Sequence, residues 1–255
     1  MSALLEVDAL DVRYGGVHAV SDVSMQVEEG TVVGLIGPNG AGKTSMIDAL
    51  TGYHRPSAGR IRFAGEDITT LRPYVRARRG LARTFQSIEL FDDLTVEENL
   101  LVASDDIGVV RALVELMVAR QHPRGGTDWA LSVCGLKDVA ERSPKDLPHG
   151  RRKLVGVARA LARRPRLVLM DEPAAGLDTS ETGVLGAHLR SLPEQGVTVL
   201  LIDHDMGLVL NVCDYVFVLD FGRLIAQGTP DEIRANSDVI SAYLGGRKET
   251  DDGDR

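Results

Sequence analysis

The sequence predicts an α/β fold in which buried parallel strands deliver polar residues to one edge of a sheet. Three short apolar runs carry that prediction: Val32 to Ile36, Leu167 to Met170, and Val197 to Ile202. Each has the length and composition of a strand buried on both faces. The first runs into the glycine-rich stretch Gly37-Pro38-Asn39-Gly40-Ala41-Gly42-Lys43-Thr44 and then into an apolar helix with Met46, Ile47, Ala49 and Leu50. The second ends in Asp171-Glu172 and the third in Asp203-His204-Asp205. Ligands of open parallel sheets bind at the carboxyl edge, so these polar groups are placed to converge on one ligand.

The stretch Gly37 to Thr44 fits G-x-x-x-x-G-K-[ST] at every fixed position. Its glycines let backbone N–H groups curl around phosphates, and the following helix offers its positive end to the same anion. Lys43 suits bridging of β- and γ-phosphates, and the Thr44 hydroxyl suits a magnesium ion. Nucleotide binding is therefore expected here.

The bulk properties bound the rest. A chain of 255 residues with 44% hydrophobic content has enough apolar material for one large domain. A net charge of -8 excludes sequence-independent nucleic-acid binding as the main task. Cys134 and Cys213 stand singly in apolar surroundings and read as buried thiols. The N-terminus lacks the pattern of a signal peptide, and no run of eighteen apolar residues is present to span a bilayer. Any membrane role is expected to come through partners.

Along the chain, residues 3–14 and 19–27 alternate as strands do, punctuated by Gly15-Gly16 and Glu28-Glu29-Gly30. Tyr14, at the end of the first, suits either core packing or stacking on a base. The P-loop helix ends near Gly52, and Arg60 to Phe63 form a short strand. The basic stretch 72–83, with Arg72, Arg76, Arg78, Arg79 and Arg83, reads as a solvated helix face. Thr95 and Glu98 form a capping box at a helix start. Residues 101–146 read as mostly helical, with a stripe of Val109, Val110, Leu113, Leu116 and Met117. His122 to Gly126 interrupts it, and Trp129, Val133 and Leu136 resume it. This suggests a helical subdomain, about residues 88–162, inserted in the α/β core. Leu147-Pro148-His149-Gly150-Arg151 precedes a helix through Leu161. Residues 183–192 look helical. Tyr215 to Leu219 and Leu224 to Ala226 form a hairpin across Phe221-Gly222. Thr229, Pro230 and Glu232 open the last helix with a second capping box. The main domain is expected over residues 1–247, and the charged tail 248–255 is expected to be disordered.

The order and spacing of these motifs, from about residue 4 to 245, resemble the ATP-binding subunit of an ABC transporter. Walker A falls on Gly37 to Thr44, the Q-loop glutamine on Gln86, Walker B on Leu167 to Glu172, the D-loop on Gly176-Leu177-Asp178, the switch histidine on His204 and the A-loop aromatic on Tyr14. Four further stretches resemble the branched-chain amino acid uptake branch, whose members also include urea and short-amide importers. They are Arg83-Thr84-Phe85-Gln86, His204-Asp205-Met206, Ile225 to Pro230 and Val239 to Gly245. The fold implied is a P-loop NTPase, a RecA-like core with a mixed sheet, an N-terminal antiparallel β subdomain and the inserted helical subdomain. One motif departs. The family's signature, LSGGQ, is here Leu147-Pro148-His149-Gly150-Arg151, and Pro148 has neither the serine hydroxyl nor an N–H.

The resemblance implies ATP and Mg²⁺ as cofactors and a composite site in a dimer. Tyr14 stacks on adenine. Gly37, Pro38, Asn39, Gly40, Ala41, Gly42, Lys43, Thr44 and Ser45 hold the phosphates. Thr44, Gln86 and Asp171 hold the metal. Glu172 acts as general base, with His204 and Gln86 completing the catalytic set. Leu147, Pro148, His149, Gly150 and Asp178 act in trans on the opposite subunit's nucleotide. The implied partners are multi-span permease subunits, a second ATP-binding subunit and a separate solute-binding protein, with no nucleic acid. The place is the cytoplasmic face of the membrane, and the process is uptake of branched-chain amino acids or related small polar solutes. The alternative is a soluble ABC ATPase or a nucleotide-dependent regulatory module.

Overall fold

The structure, a computed structural model, describes residues 3–84, 89–104 and 125–244. Gln86, the stripe from Val109 to Met117, residues 122–124 of the helix break and the tail 248–255 lie outside the described residues. The chain begins with β1 (Ala3–Tyr14), β2 (Val17–Glu28), β3 (Val32–Ile36), α1 (Lys43–Thr51), β4 (Ala58–Phe63) and β5 (Glu66–Asp67). There follow α2 (Pro73–Arg78), β6 (Leu81–Arg83), α3 (Val96–Ser104), α4 (Gly125–Val133), α5 (His149–Leu161) and β7 (Leu167–Asp171). The last elements are α6 (Thr179–Ser191), β8 (Thr198–Ile202), α7 (Met206–Val212), β9 (Tyr215–Asp220), β10 (Arg223–Gly228), α8 (Pro230–Ala235) and α9 (Ser237–Leu244).

Two sheets result. One is antiparallel, in the order β2-β1-β4-β5. The other is mixed, in the order β10-β9-β3-β8-β7-β6, with only the β9–β10 pair antiparallel. The three apolar runs of the sequence lie side by side at its centre. Their alternation explains why they are apolar throughout. Val33, Leu35, Leu167, Leu169, Leu200 and Ile202 face a core shared with α1 and the antiparallel sheet. Val32, Ile36, Val168, Met170, Val199 and Leu201 face a second core built with α3, α4, α5, α6 and α7. A central strand with water on neither side needs hydrophobic side chains on both. The resulting architecture is that of a P-loop NTPase.

Local chemistry sets the ends of the elements. Both expected capping boxes form: Glu98 N–H donates to Thr95 Oγ1 at 3.2 Å, and Glu232 N–H to Thr229 Oγ1 at 3.4 Å. The β9–β10 turn holds Phe221 at φ 42° and Gly222 at φ 77°, the left-handed pair that a two-residue hairpin needs. Gly125 and Gly126 begin α4 instead of ending a helix. A Cβ on Gly126 would lie 2.2 Å from the Ala162 oxygen, so the glycine admits close packing at the end of α5. Leu136 falls beyond α4, buried in the turn that follows it.

The basic stretch 72–83 is solvated at Arg72, Arg78 and Arg79, as expected, but not at Arg76. Arg76 is 1% exposed. Its guanidinium donates to the carbonyls of Ala49 and Leu50 at 2.7 Å and to those of Leu71 and Thr69 at 3.0 Å. Two of these carbonyls lie in the last turn of α1, where Ala49 also accepts from the Gly52 N–H at 3.3 Å and where a cation is favoured by the helix dipole. Burial pushes the guanidinium pKa down to about 10, opposed by the charge of Asp67. Arg76 thus anchors the far end of the P-loop helix.

Candidate functional site

The carboxyl ends of β3, β7 and β8 meet where the sequence places its polar residues. Beyond β3 the chain turns through the glycine-rich loop, scaffolded from behind by the β9–β10 turn. Gly222 N–H donates to the Ala41 oxygen at 3.0 Å, and Ser21 N–H to the Gly222 oxygen at 2.8 Å. Two glycines are required by close approach. A Cβ on Gly37 would stand 2.1 Å from the Leu219 oxygen, and one on Gly42 (φ +101°) 2.2 Å from the Ala19 oxygen. Gly42 caps α1, so the free N–H groups of this helix point into the loop.

Lys43 folds back across the loop and donates to the carbonyls of Gly37 at 2.7 Å and Pro38 at 2.9 Å. Burial pushes its ammonium below the usual lysine pKa, and the carboxylates of Glu172, Asp171 and Asp203 oppose the shift. Lys43, with Arg83 on Asp171 and Lys153 near Asp203 and Glu172, offsets the carboxylate charge at this edge. Asn39, Gly40 and Thr44 are exposed, Pro38 and Ser45 half-buried, and Ala41 buried.

Asp171 closes β7. It is buried, which raises its carboxyl above the usual pKa, and Arg83 on β6 holds the rise back. Arg83 Nη2 donates to Asp171 Oδ2 at 3.2 Å and Nη1 to Asp48 Oδ1 at 2.6 Å. Glu172 follows at φ 48°, with its N–H on the Ile202 oxygen at 2.7 Å, so the turn out of β7 is pinned to β8. That backbone is uncommon for a residue with a Cβ and costs about 1–3 kcal/mol, the kind of strain found at functional sites. His204 Nδ1 lies 3.5 Å from Glu172 Oε1 and 3.6 Å from Asp203 Oδ1. At those distances it is a neighbour, not a normal hydrogen-bond partner.

Tyr14 does not enter the core: it is 44% exposed, stacked at a tilt on His54 with ring centroids 4.3 Å apart. Leu147 is buried in the helical core, leaving Pro148 and His149 exposed at the start of α5 with Gly150 half-buried behind them. Asp178 caps α6 by accepting from Glu181 N–H at 2.8 Å. Gln86 lies outside the described residues.

Four contributors were given no role of their own by sequence reasoning. Asp203 is fully buried and accepts from the N–H groups of Asp205 at 3.0 Å and Ala174 at 3.3 Å, tying the switch segment to the turn after Walker B. Burial raises its pKa, opposed first by those N–H groups. Its signal was visible, since it ends an apolar strand just as Asp171 does. Lys153, buried in α5, is pushed below the usual lysine pKa by desolvation and feels the charges of Asp203 and Glu172. Tyr243 on α9 buries its hydroxyl near Gly37, whose N–H faces it without closing a hydrogen bond of normal geometry. Burial pushes the phenol up to about 12. Arg83 was read as part of a basic run and of a family-like stretch, with no role at the site.

Among the described residues no three His, Cys, Asp or Glu side chains converge to hold a metal. The hard oxygen donors of Asp171 and Thr44 do fit Mg²⁺, which keeps waters and phosphate oxygens as most of its ligands. Among the described residues, no helix is long and apolar enough to cross a membrane.

Comparison with known proteins identifies the family. Residues 20–175 match the ABC transporter family, and residues 223–249 match the branched-chain amino acid ATP-binding cassette transporter family. The chain is 43% identical over 249 residues to the high-affinity branched-chain amino acid transport ATP-binding protein BraF of Pseudomonas aeruginosa, covering 95% of this chain and 98% of that one. It is 40% identical over the same length to LivG of Salmonella typhimurium, another high-affinity branched-chain amino acid transport ATP-binding protein, with the same coverage. Among solved structures it resembles the ADP conformation of an ATP-binding cassette of an ABC transporter, with TM-score 0.85 and 29% identity over 96% of this chain and 100% of that one. These likenesses favour transport over a soluble repair or translation ATPase. The chain belongs to the ABC transporter family, as one of its ATP-hydrolysing ATP-binding cassettes.

Proposed function

We propose that this chain powers solute import by binding and hydrolysing Mg·ATP at the cytoplasmic face of a membrane, docked on separate multi-span permease subunits and fed by a solute-binding protein. The cargo is branched-chain amino acids or related small polar solutes, by likeness to BraF and LivG. The observation that carries the reading is the meeting of Lys43, Asp171, Glu172 and His204 at one sheet edge. Loop amides and Lys43 hold the phosphates, and Tyr14 stacks on the base. Thr44, Gln86 and Asp171 would hold the metal, which when bound would supply charge neutralisation at the phosphates. Glu172 takes the proton of the attacking water, and His204 contacts the γ-phosphate beside it. Closure of two cassettes around nucleotide is the conformational step.

The second cassette is a related but different chain. Every motif that serves this chain's own nucleotide is intact, while the motif lent across the interface is the altered one. A homodimer would carry Pro148 over both nucleotides; a heterodimer carries it over one. A groove of about 650 Å³ beside Walker B, lined by Tyr53, Tyr74, Arg83, Leu90, Lys153 and Arg163 among others, suits a permease helix. The helical subdomain, about residues 88–162, contributes its far wall.

The test is to express the chain with its neighbouring permease and cassette genes in vesicles. ATP hydrolysis that rises with binding protein and cargo, and falls when the second cassette is omitted, supports the proposal. Equal hydrolysis by the isolated chain overturns it.

A further inference from the structure

The altered signature and the D-loop touch each other through one side chain the motifs do not include. Glu181 lies one turn into α6. Its Oε1 accepts from the Gly150 N–H at 3.0 Å, and its Oε2 accepts from the Asp178 N–H at 3.3 Å. Its own N–H returns a bond to Asp178 Oδ1 at 2.8 Å. A single carboxylate thus joins the start of α5 to the D-loop. These bonds are charge-assisted, and one of them satisfies an amide in the first turn of α5 that no helix carbonyl can serve.

The closeness of the contact is also visible from the glycine's side. A Cβ on Gly150 would stand 2.6 Å from Glu181 Oε1 and 2.7 Å from its Cδ. Gly150 has no positive φ to demand a glycine. The Glu181 carboxylate lies where a side chain at this position would begin, so any larger residue displaces it. Beside it, the His149 ring packs against Gly176, where a Cβ would be 3.2 Å from Nε2. The two residues of the signature slot that follow Pro148 are therefore both fitted to the D-loop segment.

We propose that Glu181 is a positioning residue for the half-site this chain lends to its partner cassette: it clasps the signature loop to the D-loop so that the two present themselves as one piece. The clasp offers an account of how the cassette tolerates Pro148. Orientation by a hydroxyl at the signature is replaced by orientation from behind through Gly150. The inference rests on the proposed two-cassette site, but the clasp itself is a property of the single chain.

Two measurements separate the two ideas. In the isolated chain, amide hydrogen exchange at Gly150 and Asp178 should speed up on the order of tenfold or more in Glu181→Ala, as expected for loss of a hydrogen bond to a charged group, while Leu200 in β8 stays protected. Glu181→Gln keeps one acceptor oxygen, so it should restore protection at one of the two amides but not at both. In the assembled transporter, Glu181→Ala should lower kcat on the order of tenfold with the KM for ATP unchanged, and Glu181→Gln should recover part of it. Unchanged exchange at Gly150 and Asp178, or loss of protection at Leu200 as well, overturns the clasp. Faster exchange with unaltered kcat overturns its role in the partner's site. The two-cassette reading fails on a different result, full turnover by the isolated wild-type chain.

Discussion

Arg83 holds Asp171 at 3.2 Å, so the carboxylate assigned to the metal already has a cation partner within the chain. The pair is 12% and 11% exposed at its side chains, and the same guanidinium also binds Asp48. Removing one member of a buried pair leaves the other charge unpaired, at a cost of about 3–5 kcal/mol. Arg83→Met should therefore destabilise the nucleotide-free chain by about 3 kcal/mol or more. Urea denaturation checks this, and a change under 1 kcal/mol, the size of a surface pair, would show the pair to be solvated.

Arg76 should be as costly for a different reason. Arg76→Ala removes a donor from four carbonyls, two of them at the end of α1, and empties a buried volume. A loss of about 3 kcal/mol is expected, again by urea denaturation. Arg72→Ala, at an exposed position of the same basic stretch, should change stability by less than about 0.5 kcal/mol.

Asp203 gives a pH test. Its folded pKa is raised by burial. Above the ordinary carboxylate value of about 3.9 the unfolded chain releases a proton that the folded chain still holds. This group therefore favours folding at low pH, and that contribution is lost as pH rises through the raised folded pKa. Relative to Asp203→Asn, the wild type should lose stability across that window. Parallel urea midpoints for the two proteins at every pH would contradict the assignment.

Lys43→Ala should abolish nucleotide binding and leave the fold intact. Among the described residues the ammonium bonds only to loop carbonyls, so its removal deletes positive charge at the loop and little packing. Fluorescence titration with ATP and far-UV circular dichroism check both halves.

The central sheet and the cassette's own nucleotide loop were legible because their signals are local. Five apolar residues in a row announce a strand buried on two faces, and each glycine of the loop stands next to the lysine it serves. Thr95 with Glu98, and Thr229 with Glu232, declare their caps within four residues. What was not legible depends on contacts distant in sequence. Arg76 looks like one of several solvated arginines until the end of α1, more than twenty residues earlier, is placed against it. Tyr243 reads as part of a helix motif, and only the fold brings its hydroxyl to Gly37. Glu181 was half-visible. The spacing Asp178 to Glu181 is a capping-box pattern, but its reach to Gly150 spans 31 positions.

Glu172→Gln tests the central claim most directly. The substitution keeps the shape of the side chain at the turn where the backbone is held at φ 48° but removes the proton acceptor. Measured on the assembled transporter, ATP binding should be retained, hydrolysis should fall by roughly a hundredfold or more, and an ATP-bound dimer should accumulate with Mg²⁺ but not with ADP. Wild-type turnover by the variant would contradict the account.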